Sequence, residues 1–195
     1  LICHVIDRIK KTSLTDQIIL ATSNNSDDQI LLKIADDKNI IGFAGNENDV
    51  LDRFYHAGLK HNAELIIRIT ADCPLIDPSL VDKMIEFYDK HDYDYVSNTV
   101  ERTFPDGLDV EIFPFSVLEK TYTQAKWSSE REHVTPYIIK NNGLFKIFNY
   151  KNEIDLSHLR WCVDEKMDLE CLVTLRILRN LKILMILVSD TINVM

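Results

Sequence analysis

Hydrophobic positions along the chain fall into two kinds of run, one spaced by three and four residues and one nearly continuous. Leu1, Ile2, Val5, Ile6 and Ile9 belong to the first kind, so the chain opens inside an amphipathic helix. Residues 17–22 and 40–43 are short apolar runs of strand type. Between them, 27–38 carries Ile30, Leu31 and Ile34 on one helical side. Asn48 or Asp49 caps a further helix that reaches about His61. The run 65–70 is the clearest strand, β-branched and mostly apolar, and it ends in Asp72-Cys73-Pro74. Pro78 then opens a helix at the position proline tolerates best. Residues 95–98 and 109–113 are predicted strands around a polar loop, and 115–125 is helical in pattern. Ser129 with Glu132 three residues on predicts a capping box, for a helix that stops near Asn141-Asn142-Gly143. Residues 144–150 and 159–163 are predicted strands, with a last helix from about Met167.

Strand and helix alternate throughout, and the early strands lack period-two alternation. That pattern predicts an α/β fold with a mainly parallel, twisted sheet covered by helices on both faces. One domain over 1–170 accounts for it, with 171–195 as a helical tail. Ligands of such sheets sit at the carboxyl ends of the strands, so residues just after a strand have first claim on the chemistry. A sheet of this kind normally begins with a strand. This chain begins with a helix and with Leu1, so a preceding N-terminal piece is expected.

Composition narrows the class. The 195 residues are 46% hydrophobic and 27% charged, which is ordinary for a soluble globular domain that needs no staples. A net charge of −9 repels a phosphate backbone, so nucleic acid is not an expected partner. It leaves room for a phosphorylated small molecule held through Mg²⁺. Cys3, Cys73, Cys162 and Cys171 show neither Cys-x-x-Cys nor zinc-ligand spacing, and fit reduced thiols in a cytoplasmic protein. Residues 1–4 lack a basic leader, and Arg176, Arg179 and Lys182 interrupt the apolar stretch 172–188, so no membrane span is expected.

Asp72 follows the best strand and precedes the proline that turns the chain out of the sheet. Its carboxylate either ends the strand as a turn residue or holds a hard cation such as Mg²⁺. Asp164, at the end of 159–163, either caps the next helix or shares that cation with Asp72 and a triphosphate. Pro105-Asp106-Gly107 has the makings of a tight turn, which leaves Asp109 and Glu111 on one strand side, suited to sugar hydroxyls. Glu130, Arg131 and His133 fit a solvated first helical turn, or a contact to phosphate or a sugar carboxylate. Arg68 is unusual inside a strand, unless paired near an edge. Neither a glycine-rich phosphate loop nor a Gly-x-Ser-x-Gly element occurs in these 195 residues.

Six motifs in order carry a resemblance. Asp49-Val50-Leu51-Asp52-Arg53-Phe54-Tyr55, Arg68-Ile69-Thr70-Ala71-Asp72-Cys73-Pro74-Leu75-Ile76-Asp77-Pro78 and Asp94-Tyr95-Val96-Ser97-Asn98 are three of them. Phe104-Pro105-Asp106-Gly107-Leu108-Asp109-Val110-Glu111, Ser129-Glu130-Arg131-Glu132-His133-Val134-Thr135-Pro136-Tyr137 and Leu156-Ser157-His158-Leu159-Arg160-Trp161-Cys162-Val163-Asp164 complete the series. Together they resemble the cytidylyltransferase-like proteins of spore-coat polysaccharide biosynthesis, a family similar to CMP-KDO synthetases and acylneuraminate cytidylyltransferases. The resemblance implies the nucleotide-diphospho-sugar transferase fold, of GT-A, Rossmann-like type. It implies attack of a sugar hydroxyl on the α-phosphate of CTP with release of pyrophosphate, the sugar being acidic or amino. By the same resemblance Asp72 and Asp164 are the catalytic Mg²⁺ ligands, and 106–111 and 130–135 line the sugar side. Relatives of this fold often pair, so a homodimer is open to the chain.

Two departures accompany the resemblance. The family's opening strand and Arg/Gly/Lys loop are not in this sequence, and without that loop poor CTP binding is expected. After about Cys171 the sequence also leaves the family pattern. Two other readings are a glycosyltransferase on the same fold, for which Asp92-Tyr93-Asp94 supplies an Asp-x-Asp pair ahead of a strand, and a non-enzymatic binding module.

Overall fold

The computed structural model describes residues 1–170 and Thr174. Its elements are α1 (Ile2–Ile9), β1 (Ile19–Ser23), α2 (Gln29–Asp37), β2 (Ile41–Gly45), α3 (Val50–Lys60), β3 (Leu65–Arg68), α4 (Pro78–Asp89), β4 (Tyr95–Ser97), β5 (Glu111–Pro114), α5 (Phe115–Gln124), α6 (Ser128–His133), α7 (Pro136–Lys140) and β6 (Ile147–Asn149). The caps explain several starts. The Asp49 carboxylate accepts the Asp52 N–H at 2.9 Å and opens α3, which stabilises a helix by about 1 kcal/mol. Asp77 accepts the Ser79 N–H at 3.0 Å ahead of Pro78 at the start of α4.

β1 and β2 form a two-stranded parallel sheet, in register from Ile19 opposite Ile41 to Ser23 opposite Gly45. The other strands form a four-stranded sheet ordered β3-β5-β4-β6. β5 runs antiparallel to β3 and to β4, while β4 and β6 are parallel. β3, β4 and β6 therefore share one direction, and β5 is the reversed strand in a mainly parallel arrangement. Asn98, 1% exposed, sets that reversal. Its amide donates to the Leu108 carbonyl at 2.8 Å and its side-chain oxygen accepts the Val110 N–H at 2.9 Å.

Period-two alternation divides the core between the sheet's two faces. Val96, Val110 and Ile112 join Val5 of α1 and Leu80, Val81, Met84 and Ile85 of α4 on one face. Tyr95 and Phe113 join Leu51 of α3, Val117 and Leu118 of α5 and Ile138 of α7 on the other. Met84, Leu51, Ile112 and Leu118 are fully buried, worth roughly 1.5–3 kcal/mol each. α3 also packs against β1 and β2 and so joins the two sheets.

Three expectations are corrected. The helix expected from Ser129 to about Asn141 is two helices, broken at Val134 with φ 72°. Its cap is not the Ser129–Glu132 box: the Glu130 carboxylate reaches back to the N–H groups of Lys126 and Trp127, at 3.2 and 3.3 Å. Residues 159–163 are not a strand; the one β-bridge they make among the described residues is the isolated parallel pair Asp106 and Arg160. Arg160 and Trp161 face solvent there, so the run has only one face to bury. The last helix opens at Lys166, and the 171–195 tail lies outside the described residues apart from Thr174. Among the described residues no helix is long and apolar enough to cross a membrane. Cys3, Cys73 and Cys162 are free thiols, the latter two buried.

Candidate functional site

Beyond β3 the chain runs extended through Ile69 and Thr70 into a turn at Ala71 and Asp72. The loop behind it is fastened from below. Cys73 and Ile76 pack in the cluster of Val5, and the Arg8 Nε donates to the Ile76 carbonyl at 2.5 Å. The Val163 N–H donates to the Asp72 carbonyl at 2.9 Å, which lays the segment carrying Asp164 beside the turn carrying Asp72. Two sequence-distant segments, each bearing an aspartate, thus lie side by side at the carboxyl edge of β3.

Asp164 is not the helix cap it was free to be. Asp168 fills that role, accepting the N–H groups of Asp164 and Glu165 at 3.0 and 2.9 Å, and those bonds hold its carboxyl below the usual range. The Asp164 carboxylate stays exposed and accepts from the Arg160 Nη2 at 2.5 Å and, more weakly, from the Cys162 Sγ at 3.6 Å. Asp72 is half-buried and has no basic partner among the described residues. Burial pushes the neighbouring Cys73 thiol up to about 12, so Asp72 faces a neutral Sγ 3.7 Å away. Cys162 is likewise pushed up to about 12, by burial and by its hydrogen bond to Asp106. Asp72 and Asp164 are hard oxygen donors of the kind Mg²⁺ takes. Among the described residues no three His, Cys, Asp or Glu side chains converge into a complete metal cage.

The Pro105-Asp106-Gly107 turn carries more than a change of direction. Asp106 donates its N–H to the Leu159 carbonyl at 2.9 Å and accepts the Trp161 N–H at 2.6 Å. Gly107 has φ 105°, and a Cβ there would lie 2.5 Å from the Cys162 nitrogen and 2.6 Å from the Trp161 carbonyl carbon. Only glycine lets the turn seat residues 159–163, and through them Asp164.

Next to this edge is a cavity of about 100 Å³ lined by Arg68, Thr70, Thr99, Asp109 and Glu111. Arg102 grips Asp109 with two bonds of 2.5 and 2.9 Å. Glu111, 5% exposed, pairs with Arg68 directly across the β3–β5 ladder. It also accepts the hydroxyls of Tyr95 at 2.5 Å and Thr135 at 2.7 Å. Tyr95 is not among the site residues expected from sequence, and Thr135 is expected only as the end of the 130–135 segment. The only available signal was a hydroxyl within an otherwise apolar or proline-bounded run.

A larger hollow of about 660 Å³ runs along the β6 edge, from Asp94 and Lys146 before the strands to Val100 and Asn149 at their carboxyl ends. Neither Asp72 nor Asp164 lines it, and we give it no catalytic role. Asp92 and Asp94 stand just before β4. Asp92 pairs with the Lys146 ammonium, and Asp94 accepts the Lys146 N–H at 2.8 Å.

The 130–133 segment stands apart from the cavity. Arg131 donates from Nε to Asp49 at 2.5 Å and from Nη1 to the Tyr122 and Ala125 carbonyls, locking α6 to α3 and α5. Glu130, 4% exposed, holds the start of α6 and pairs with Lys140. His133 is exposed, with no side-chain hydrogen bond among the described residues. The structure therefore brings Asp72, Asp164 and Asp106 to one place, and Arg68, Asp109 and Glu111 to the cavity beside it.

Comparison with known proteins identifies the family and the fold. The sequence profile of the cytidylyltransferase family matches residues 1–189. Protein MJ1063 of Methanocaldococcus jannaschii is 41% identical over 144 residues, which are 74% of this chain and 58% of that protein. The spore coat polysaccharide biosynthesis protein SpsF of Bacillus subtilis is 31% identical over 165 residues, 82% of this chain and 67% of that one. The chain thus spans only about three fifths to two thirds of the length of these relatives. The structure of a cytidylyltransferase from Leptospira borgpetersenii superposes with a TM-score of 0.84 at 33% identity, covering 87% of this chain and 72% of that one. The α/β fold with helix-flanked, parallel-rich sheets is shared with that cytidylyltransferase structure. The chain belongs to the cytidylyltransferase family.

Proposed function

We propose that the protein transfers CMP from CTP to an acidic or amino sugar, with release of pyrophosphate, as a cytoplasmic step in the synthesis of a surface glycan. The observation that carries this is the Val163–Asp72 backbone bond, which sets the Asp164 segment beside the Asp72 turn at the ligand edge of the sheet. Family membership supplies the nucleotide, and the name of the SpsF relative supports the glycan context.

Asp72 and Asp164 fit Mg²⁺, which favours a few carboxylates and leaves its other positions to phosphate oxygens and water. Bound there, the ion would draw charge from the α-phosphate and from the departing pyrophosphate. The chain's own residues do the rest. Asp72 faces the site unpaired, Asp164 turns from Arg160 to the incoming ligand, and Gly107 keeps the two segments in contact. The sugar is oriented in the cavity of Arg68, Thr70, Thr99 and Asp109, so that its hydroxyl approaches the α-phosphate. Pairing of two copies is compatible with this reading and is not needed by it.

CTP- and Mg²⁺-dependent pyrophosphate release over a panel of sugar acids and amino sugars tests the proposal. Asp72→Ala is expected to lower turnover at least about a hundredfold at unchanged thermal stability, since loss of a metal ligand removes several kcal/mol of charge stabilisation. Turnover equal to wild type would take Asp72 out of the mechanism. The glycosyltransferase reading is disfavoured by the position of Asp92 and Asp94 at the amino end of β4, with Asp92 paired to Lys146.

A further inference from the structure

We infer that Tyr95, Glu111 and Thr135 form a buried frame that holds Arg68, so that its free guanidinium donors meet a neutral, hydroxyl-bearing part of the sugar. This rests on the proposed sugar-nucleotidyl transfer and names how the cavity would recognise its substrate.

Glu111 is a carboxylate with 5% exposure, and such a group is tolerated only when its acceptor positions are filled. The donors that fill them come from three places: Arg68 at the end of β3, the Tyr95 hydroxyl of β4 at 2.5 Å, and the Thr135 hydroxyl at 2.7 Å. Burial and the neighbouring Glu111 charge hold the Tyr95 phenol well above its usual range, so it remains a donor. Arg68 spends one nitrogen, Nη1, on this pair. A guanidinium has five N–H donors, and the side chain lines the cavity.

The charges in the cavity are already matched. Arg68 is balanced by Glu111, and Asp109 by the two bonds from Arg102. What the cavity offers is hydrogen bonding: donors from Arg68, acceptors from Asp109, and hydroxyls from Thr70 and Thr99 that do both. That set recognises sugar hydroxyls and amides, and adds no surplus cation for a carboxylate.

An independent observation points to the same frame. Thr135 reaches Glu111 because α6 ends in a three-residue turn at Val134, with φ 72° and ψ −57° and the Thr135 N–H donating to the His133 carbonyl at 2.9 Å. This turn is rare and strained, the more so for a β-branched residue, and Val134 is fully buried. Strain of this kind persists where the surroundings over-determine it, and collects where a side chain must be aimed. Here the residue being aimed is Thr135.

The test uses Thr135→Val and Tyr95→Phe, which remove one hydroxyl each, with Thr135→Ser as the conservative control. In ¹⁵N NMR of the arginine side chains, the Arg68 guanidinium protons are expected to exchange slowly in wild type. They should exchange about tenfold or more faster in Thr135→Val and Tyr95→Phe, and recover in Thr135→Ser. With CTP and Mg²⁺ present, methyl pyranosides are expected to shift the Thr70 and Thr99 methyl resonances, at about tenfold higher concentration in Thr135→Val and Tyr95→Phe than in wild type. The KM for the sugar should rise about tenfold in both single variants, with kcat and the KM for CTP within about twofold. Unchanged Arg68 exchange in both variants overturns the frame, whether or not any sugar is turned over. Faster exchange with an unchanged sugar KM and an unchanged pyranoside concentration, or no methyl shift with any sugar, overturns the recognition role. A wild-type protein with no pyrophosphate release counts against the proposed reaction, while the exchange and methyl-shift arms still decide this inference.

Discussion

A single hydrogen atom decides the seat of the second carboxylate. At Gly107, φ is 105° and the backbone of residues 161 and 162 lies within 3 Å of where a methyl would stand. The neighbours are backbone atoms, which cannot rotate away as a side-chain tip can. Gly107→Ala is therefore expected to destabilise the protein by about 2 kcal/mol or more, read from the urea midpoint. Serving as a turn residue alone would make the position tolerant of Asn, the usual second choice at positive φ. The contact with residue 162 predicts that Gly107→Asn fails as badly as Gly107→Ala. The same scale separates two aspartates that look alike in sequence. Asp168 satisfies the amides ahead of the helix at Lys166, which leaves Asp164 exposed, with the solvent-exposed Arg160 as its charged partner.

At the scale of elements, α6 shows how a polar cluster can serve architecture. Glu130 is the acceptor that starts this helix, and Arg131 ties it to α3 and α5. Glu130→Ala is expected to cost about 1–2 kcal/mol, because two amides lose their acceptor, with Glu130→Gln costing less than half of that. Thermal unfolding of the two variants checks it, and a Gln variant as unstable as Ala would point to the Lys140 pair instead. The helices whose starts were readable, α3 and α4, announce themselves through local chemistry: Asp49 or Asp77 accepts an N–H two or three residues away. β3 was readable because its apolar run is β-branched and stops at a proline. What stayed hidden depends on distant partners. Ser129 and Glu132 matched the capping pattern, yet Glu130 won because its carboxylate is buried and points back. Residues 159–163 have the composition of a strand but one solvent-facing side and a single bridge. At the site, Asp72 could be read as a carboxylate just beyond a strand, whereas the strand expected ahead of Asp164 does not form. The Glu111 partners could not be read, since Tyr95 and Thr135 are 16 and 24 residues from it in sequence.

For the molecule as a whole, the division into two sheets has a consequence for how it opens. Both core clusters lie on the faces of the four-stranded sheet, and neither contains a residue of β1, α2 or β2. In that unit Thr22, Ser23 and Ala35 are the buried residues, and β2 alternates between partly buried and exposed. Protection from amide exchange follows apolar burial, so β1 and β2 are expected to exchange at least about tenfold faster than the paired amides of β3, β5 and β4. Equal protection across both sheets would show a single cooperative unit instead. The unit that opens first carries no proposed metal ligand. The protein would therefore breathe at the β1–β2 side many times for each time it lets go of Asp72.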